Sequence, residues 1–261
     1  MSVYALPIFS LAGKTALVTG GTRGIGFASA RLLAQAGGRV VVSSEDDADC
    51  RRAAAALRAE NLDVVGIACD AAERAQVEAL AASVGREHGR IDVLVCNAGI
   101  APHMGPIATA TDEDYECTMT VNLRSALWLT SAVIPTMAAG GGGSVVLMSS
   151  IAGLRGNRGL GVYSLSKAGL AALARNLAVE WGPQQIRVNA ISPGVVETEF
   201  ARPLTDNDAA MLRRLALTPL RRTGKPEEIA ATVLYLASPA GAFVTGHNLV
   251  VDGGTTIGDG S

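Results

Sequence analysis

The chain is short of lysine. It has three, Lys14, Lys167 and Lys225, against nineteen arginines in 261 residues. Lys14, ahead of the first apolar run, and Lys225, ahead of Pro226, read as ordinary surface residues, which leaves Lys167 as the marked one. Runs of basic residues are missing too. A net charge of −2 spread along the chain offers no positive stripe to a phosphate backbone and argues against a nucleic-acid partner. No uncharged apolar run reaches the about 18 residues that a membrane span needs, so no membrane partner is expected. Cys50, Cys69, Cys96 and Cys117 are 19, 27 and 21 residues apart. That spacing fits neither a zinc nor a redox motif, and the four read as buried free thiols in a reducing compartment. His88, His103 and His247 are dispersed, so no metal site is expected. Residues 1–12 carry neither a basic start nor a cleavage site, which predicts no signal peptide and a soluble cytoplasmic protein.

What is present is apolar material in a regular order. Hydrophobic residues make up 49% of the chain, ample for a large core. Short runs rich in Val and Ile at 14–20, 39–44, 64–70, 91–99, 144–150, 186–194 and 247–254 read as strands. Helical patterns near 24–36, 47–60, 73–88, 112–139, 162–182 and 226–237 fall between them. Most strands are too continuously apolar for a sheet with one wet face, so helices should cover both sides. Strand–helix alternation without linker or repeat predicts an α/β doubly wound, seven-stranded parallel sheet in a single domain, residues 1–261. Ligands of such sheets sit beyond the carboxyl ends of the strands, and the informative residues follow strand ends.

The segment TGGTRGIG (19–26) closes the first strand and opens the first helix. Gly20, Gly24 and Gly26, with Thr22, Arg23 and Ile25 between them, suit a tight turn, a close backbone approach to a diphosphate and a helix N-terminus facing the anion. The second strand ends at Ser44 and Glu45, where an acid can bind a ribose diol and repel a 2′-phosphate. Glu45 favours NAD(H), but Arg23, Arg51 and Arg52 could pair with the extra phosphate, so NADP(H) stays open. Asp70, at the end of the third strand, sits where the adenine edge should lie.

Tyr163 and Lys167 are one helical turn apart in GVYSLSKAGL (161–170), so phenol and ammonium share a face. Ser150 lies 13 residues before Tyr163, and Asn122 stands in TVNL within the long preceding helical region. The order T-G-x-x-x-G-x-G, N-A-G (97–99), Ser, Y-x-x-x-K and PGVVET (193–198) resembles the short-chain dehydrogenase/reductase family, its 3-oxoacyl-reductase-like branch included, from Lys14 to about Gly254. The resemblance implies a Rossmann fold and hydride transfer between NAD(P)(H) and a ketone or secondary alcohol. It implies Tyr163 as acid or base, Lys167 on the phenol and the nicotinamide ribose, Ser150 on the substrate oxygen, and Asn122 placing a water for proton resupply. It places Asn97, Ala98 and Gly99 along the ribose and nicotinamide side. Pro193, Gly194, Val196 and Thr198 would hold the carboxamide. A nearby ammonium would favour phenolate over the usual tyrosine pKa near 10.

Substrate choice should come from the loops 100–106 and 153–161 and from 195–224, which reads as a lid. Arg155 and Arg158 are candidates for an anionic substrate. A 3-oxoacyl thioester is one possible substrate; a dinucleotide-binding regulator without turnover is the other reading. The resemblance also implies a homo-oligomer, tetramer or dimer, paired through the helices near 112–139 and 162–182.

Overall fold

The computed structural model describes residues 6–205 and 208–258. In chain order the elements are β1 (Thr15–Thr19), α1 (Gly24–Gln35), β2 (Arg39–Ser44), α2 (Asp47–Ala59), β3 (Val64–Ala68), α3 (Arg74–His88) and β4 (Val93–Cys96). Then come α4 (Asp112–Met119), α5 (Ser125–Ala139), β5 (Gly143–Met148), α6 (Gly161–Trp181), β6 (Ile186–Pro193), α7 (Arg202–Thr205), α8 (Asp208–Ala216), α9 (Pro226–Ala237) and β7 (Asn248–Val251). All seven strands are parallel, in the order β3-β2-β1-β4-β5-β6-β7. The order reverses between β1 and β4, which opens a crevice above their carboxyl ends.

Strand side chains alternate between two cores, as a period of two requires. Leu17, Val41, Leu94, Val145 and Leu147 face α3, α5 and α6. Ala16, Val18, Val40, Val42, Val93, Val95, Val146 and Met148 face α1, α2 and α9. The inner strands β1, β2, β4, β5 and β6 are therefore buried on both faces, which is why they are so rich in Val, Leu and Ile, whereas the edge strands β3 and β7 are only partly covered. Local chemistry sets the helix starts. Asp46 caps α2 by accepting from the Asp49 backbone N–H at 2.9 Å, and Thr111 with Asp114 forms a capping box on α4.

Three expectations need correction. The helical region near 112–139 is not one helix, because a π-helical turn (Thr120–Arg124) separates α4 from α5. Lys14 is more than a surface residue: its ammonium is 3.2 Å from the carboxylate of Asp92, a buried acid that Arg90 also meets. Of the four thiols Cys50, Cys69 and Cys96 are buried, but Cys117 is exposed, because α4 turns only Thr118 fully inward. The segment expected as a lid carries a 3-10 turn (Glu199–Ala201) with α7 and α8; its residues 206–207 lie outside the described residues. Among the described residues, no helix is long and apolar enough to cross a membrane.

Candidate active site

The carboxyl ends of β1 to β6 surround a cavity of about 700 Å³. Its lining brings together Gly20, Thr22, Arg23, Gly24 and Ile25 after β1, Ser44 and Glu45 after β2, Asp70 after β3, and Asn97, Ala98 and Gly99 after β4. The same wall continues through Asn122, Ser150, Tyr163 and Lys167 to Pro193, Gly194, Val196 and Thr198. The candidate arginines Arg51, Arg52, Arg155 and Arg158 are not part of the lining. Of the glycine-loop, strand-end and Tyr–Lys residues singled out from sequence, Gly26 alone stands behind it. There a Cβ would overlap the carbonyl oxygen of Gly20, so Gly26 lets α1 pack against the end of β1.

The phosphate cradle needs its glycines for two reasons. Gly20 and Gly24 have φ of 59° and 53°, a region costly for side-chain-bearing residues. A Cβ on Gly20 would also come 2.9 Å from the Asn97 amide nitrogen. That amide donates to the carbonyls of Thr19 (3.2 Å) and Gly20 (2.9 Å), and the Asn97 backbone N–H donates to the Thr19 hydroxyl at 3.1 Å. Asn97 thus braces the loop with its side chain. Sequence reasoning missed Thr19, whose position at the end of β1 was its only signal.

At the adenosine end Glu45 is exposed and lines the cavity. The cations that might compete with it are engaged: Arg51 pairs with Asp47 and Arg52 with Asp49 along α2, and Arg23 lies 3.8 Å from Glu199. Asp70 accepts from the Ala72 backbone N–H at 2.8 Å, which holds its carboxylate at the rim.

Tyr163 and Lys167 open α6, and both turn toward Ser150 beyond β5. Lys167 is 3% exposed; its ammonium donates to the Met148 carbonyl at 2.8 Å and lies 5.5 Å over the Tyr163 ring. Burial lowers its pKa to about 8. Burial pushes the Tyr163 phenol up to about 12, against a lowering by its hydrogen bond with Ser150. The direction is opposite to the phenolate expected from a neighbouring ammonium, because desolvation of the phenol is the largest influence on it. Ser150 also caps a short 3-10 turn, its hydroxyl accepting from the Ala152 N–H at 3.1 Å.

Asn122 is 2% exposed and sits in the π turn. Its oxygen accepts from the Ile100 N–H at 2.7 Å. Its nitrogen donates to the Ile100 carbonyl at 2.9 Å and to the Ser166 hydroxyl at 3.0 Å. Ser166 in turn donates to the Tyr163 carbonyl at 2.8 Å, and Ser149 donates to the Lys167 carbonyl at 2.7 Å. The two buried serines therefore tie the first turn of α6 to the β5 end and to Asn122. A Cβ on Gly99 would meet the Lys167 ammonium at 3.2 Å, so the glycine keeps the strand end clear of it. From 195–224, Phe200 lays its ring 5.9 Å from that of Tyr163. The backbone and glycine arrangement fits a dinucleotide: a glycine turn before a helix N-terminus at one end, an exposed acid, Glu45, at another, and Tyr163 and Ser150 beside the buried Lys167 in the same cavity.

Comparisons with known proteins agree with this arrangement. A family model described as "Enoyl-(Acyl carrier protein) reductase" matches residues 20–256. Rabbit (Oryctolagus cuniculus) dehydrogenase/reductase SDR family member 4 is 42% identical over 244 residues, 94% of each chain. The human protein of that name is 42% identical over 248 residues, 94% of this chain and 88% of the other. A gluconate 5-dehydrogenase from Burkholderia cenocepacia, solved with NADP and tartrate, superposes with a TM-score of 0.93 at 33% identity, over 97% and 99% of the two chains. The chain belongs to the short-chain dehydrogenase/reductase family, NAD(P)-dependent oxidoreductases that move a hydride between the cofactor and a ketone or secondary alcohol.

Proposed function

We propose that Tyr163 is the acid–base group of this oxidoreductase, with Ser150, Lys167 and Asn122 as its supports. The observation that carries the reading is the Lys167 ammonium 5.5 Å over the Tyr163 ring, in a cavity whose lining also holds Ser150 and the glycine cradle. The nicotinamide cofactor, when bound, supplies or accepts the hydride. The chain supplies position and the proton. Ser150 holds the carbonyl oxygen, and Tyr163, kept as phenol by burial, donates its proton as negative charge builds there. The proton from Tyr163 on oxygen, together with the hydride that the bound cofactor would supply to carbon, would make the alcohol. Lys167 holds its charge over the Tyr163 ring and serves the nicotinamide ribose. Asn122 is a positioning residue: both its amide hydrogens are engaged, so it fixes the Ile100 backbone and α6, along which a water would return the proton. In the oxidation direction the same pair runs backwards, with the phenolate as base.

NAD(H) is the preferred cofactor, supported by Glu45 at the cavity rim and by the engaged arginines of α2. The segment 195–224 acts as the lid, supported by Phe200 over Tyr163. Three buried thiols, none disulfide-bonded, support a reducing, cytoplasmic setting. Exposed Leu127, Leu165 and Val179 on α5 and α6 support a homo-oligomer, dimer or tetramer, paired through those helices. Replacing Tyr163 by Phe tests the assignment, since it removes the proton and leaves the ring.

A further inference from the structure

The acids that line the cavity are gathered away from Tyr163. Glu45 and Asp70 follow β2 and β3, and Glu199 faces Arg23. At the other end α8 puts Arg214 into the lining that Tyr163, Ser150, Asn157, Leu160 and Phe200 share. Arg214 has no carboxylate within 4 Å among the described residues. A second arginine stands behind it. The Thr218 hydroxyl donates to the Arg214 carbonyl at 3.0 Å and shares a 3.0 Å hydrogen bond with the Thr255 hydroxyl. The Thr255 carbonyl in turn accepts from the Arg155 guanidinium at 3.5 Å. Three segments, the loop after β5, α8 and the loop after β7, are thus tied together, with Arg214 in the lining and Arg155 outside it. Burial, and then the charge of Arg155, hold the Arg214 pKa below the ordinary arginine value. Neither loop arginine, Arg155 or Arg158, is in that lining.

A half-buried guanidinium beside a like charge is costly unless an anion completes it. Its planar fork matches a carboxylate or phosphate by two parallel hydrogen bonds. The pyrophosphate cradle lies over β1, whereas Arg214 is tied to the β5 and β7 loops, the side from which a substrate would enter. We infer that Arg214, backed by Arg155, binds an anionic oxygen group on the substrate, so that the ketone or alcohol carries a carboxylate or a phosphate. This rests on Tyr163 and Ser150 as the site of the carbonyl.

Matched probes test it: 4-oxopentanoate against its methyl ester, and hydroxyacetone phosphate against hydroxyacetone, each with NADH or NADPH. The native protein should favour the charged member of at least one pair in kcat/KM by about tenfold, one good charge-assisted contact; the pair that shows it tells carboxylate from phosphate. Arg214→Met should erase that preference through KM, leaving kcat and the uncharged twin within about twofold. Arg155→Met should weaken it by a smaller factor and serves if the Arg214 variant does not fold. Calorimetric titration of the NADH-loaded protein with 4-oxopentanoate and with hydroxyacetone phosphate reads the same contact without turnover. Binding of one that Arg214→Met abolishes supports the inference even if no probe is reduced, in which case Tyr163's role alone would fall. Equal handling of both members of each pair, with no anion bound in calorimetry, overturns it. So does an Arg214→Met protein that loses NADH affinity instead, because Arg214 would then serve the dinucleotide.

Discussion

Glu45 and Lys167 are the residues whose chemistry is most open to direct test. Glu45→Arg exchanges a carboxylate that repels a 2′-phosphate for a guanidinium that pairs with it. The NADPH-to-NADH ratio of kcat/KM should rise about tenfold or more; an unmoved ratio would remove Glu45 from the cofactor pocket. Lys167 titrates in the folded protein at about 8 against 10.5 ordinarily. Below pH 8 the lysine is charged in both folded and unfolded chains, and the cost of burying that charge is fully present. Between pH 8 and 10.5 the folded protein gives up the proton first, so stability attributable to Lys167 rises with pH. Lys167→Met should therefore unfold at higher urea than the native protein at pH 7, with the gap narrowing by pH 10. A gap that stays constant would contradict a buried, charged Lys167. That Lys167 and Tyr163 share a face was legible in their four-residue spacing, because the helix repeat fixes which side chains do. The direction of the Tyr163 pKa was not, since desolvation depends on what α6 packs against. Ser149, Ser166 and Thr19 were illegible for the same reason: a lone hydroxyl declares its partner only once distant segments meet.

Among the elements, the π turn Thr120–Arg124 changes the sequence-level picture most. Apolar periodicity through 112–139 reads as one helix, and a single wide turn hardly disturbs that pattern. The inserted residue swings Asn122 inward, a common use of a π turn near a functional site. Asn122→Ala leaves the Ile100 N–H and carbonyl and the Ser166 hydroxyl without their partner, at about 1–3 kcal/mol. Its signature should be a fall in kcat with little change in the cofactor Kd, and a pH profile displaced from the native one. A variant that only melts earlier, with kcat and pH profile unchanged, would reduce Asn122 to scaffolding. In the cradle, Gly26→Ala drives a methyl into the Gly20 carbonyl. It should cost about 1–3 kcal/mol of stability and weaken dinucleotide binding, both readable by melting with and without NADH.

For the whole molecule, seven apolar runs separated by helical stretches were enough for the sheet, because strands covered on both faces cannot alternate with polar residues. Their spatial order, with the crevice between β1 and β4, was not legible, because strand–helix alternation is compatible with more than one doubly wound order. The cavity at the Arg214 end was not readable, since the sequence of α8 does not say which wall it meets until distant loops are brought beside it. Exposed Leu127, Leu165 and Val179 predict that the protein sediments as a dimer or tetramer, and that charged replacements at Leu165 and Val179 yield monomers. Native sedimentation as a monomer would remove that interface. The central claim is that one cavity joins a dinucleotide cradle to a proton donor at Tyr163. It is tested most directly by measuring carbonyl reduction and NADH binding on one preparation of Tyr163→Phe. Turnover should fall by about 10²–10⁴-fold or more while the NADH dissociation constant stays within about threefold of the native value. Native-like turnover in that variant would contradict it.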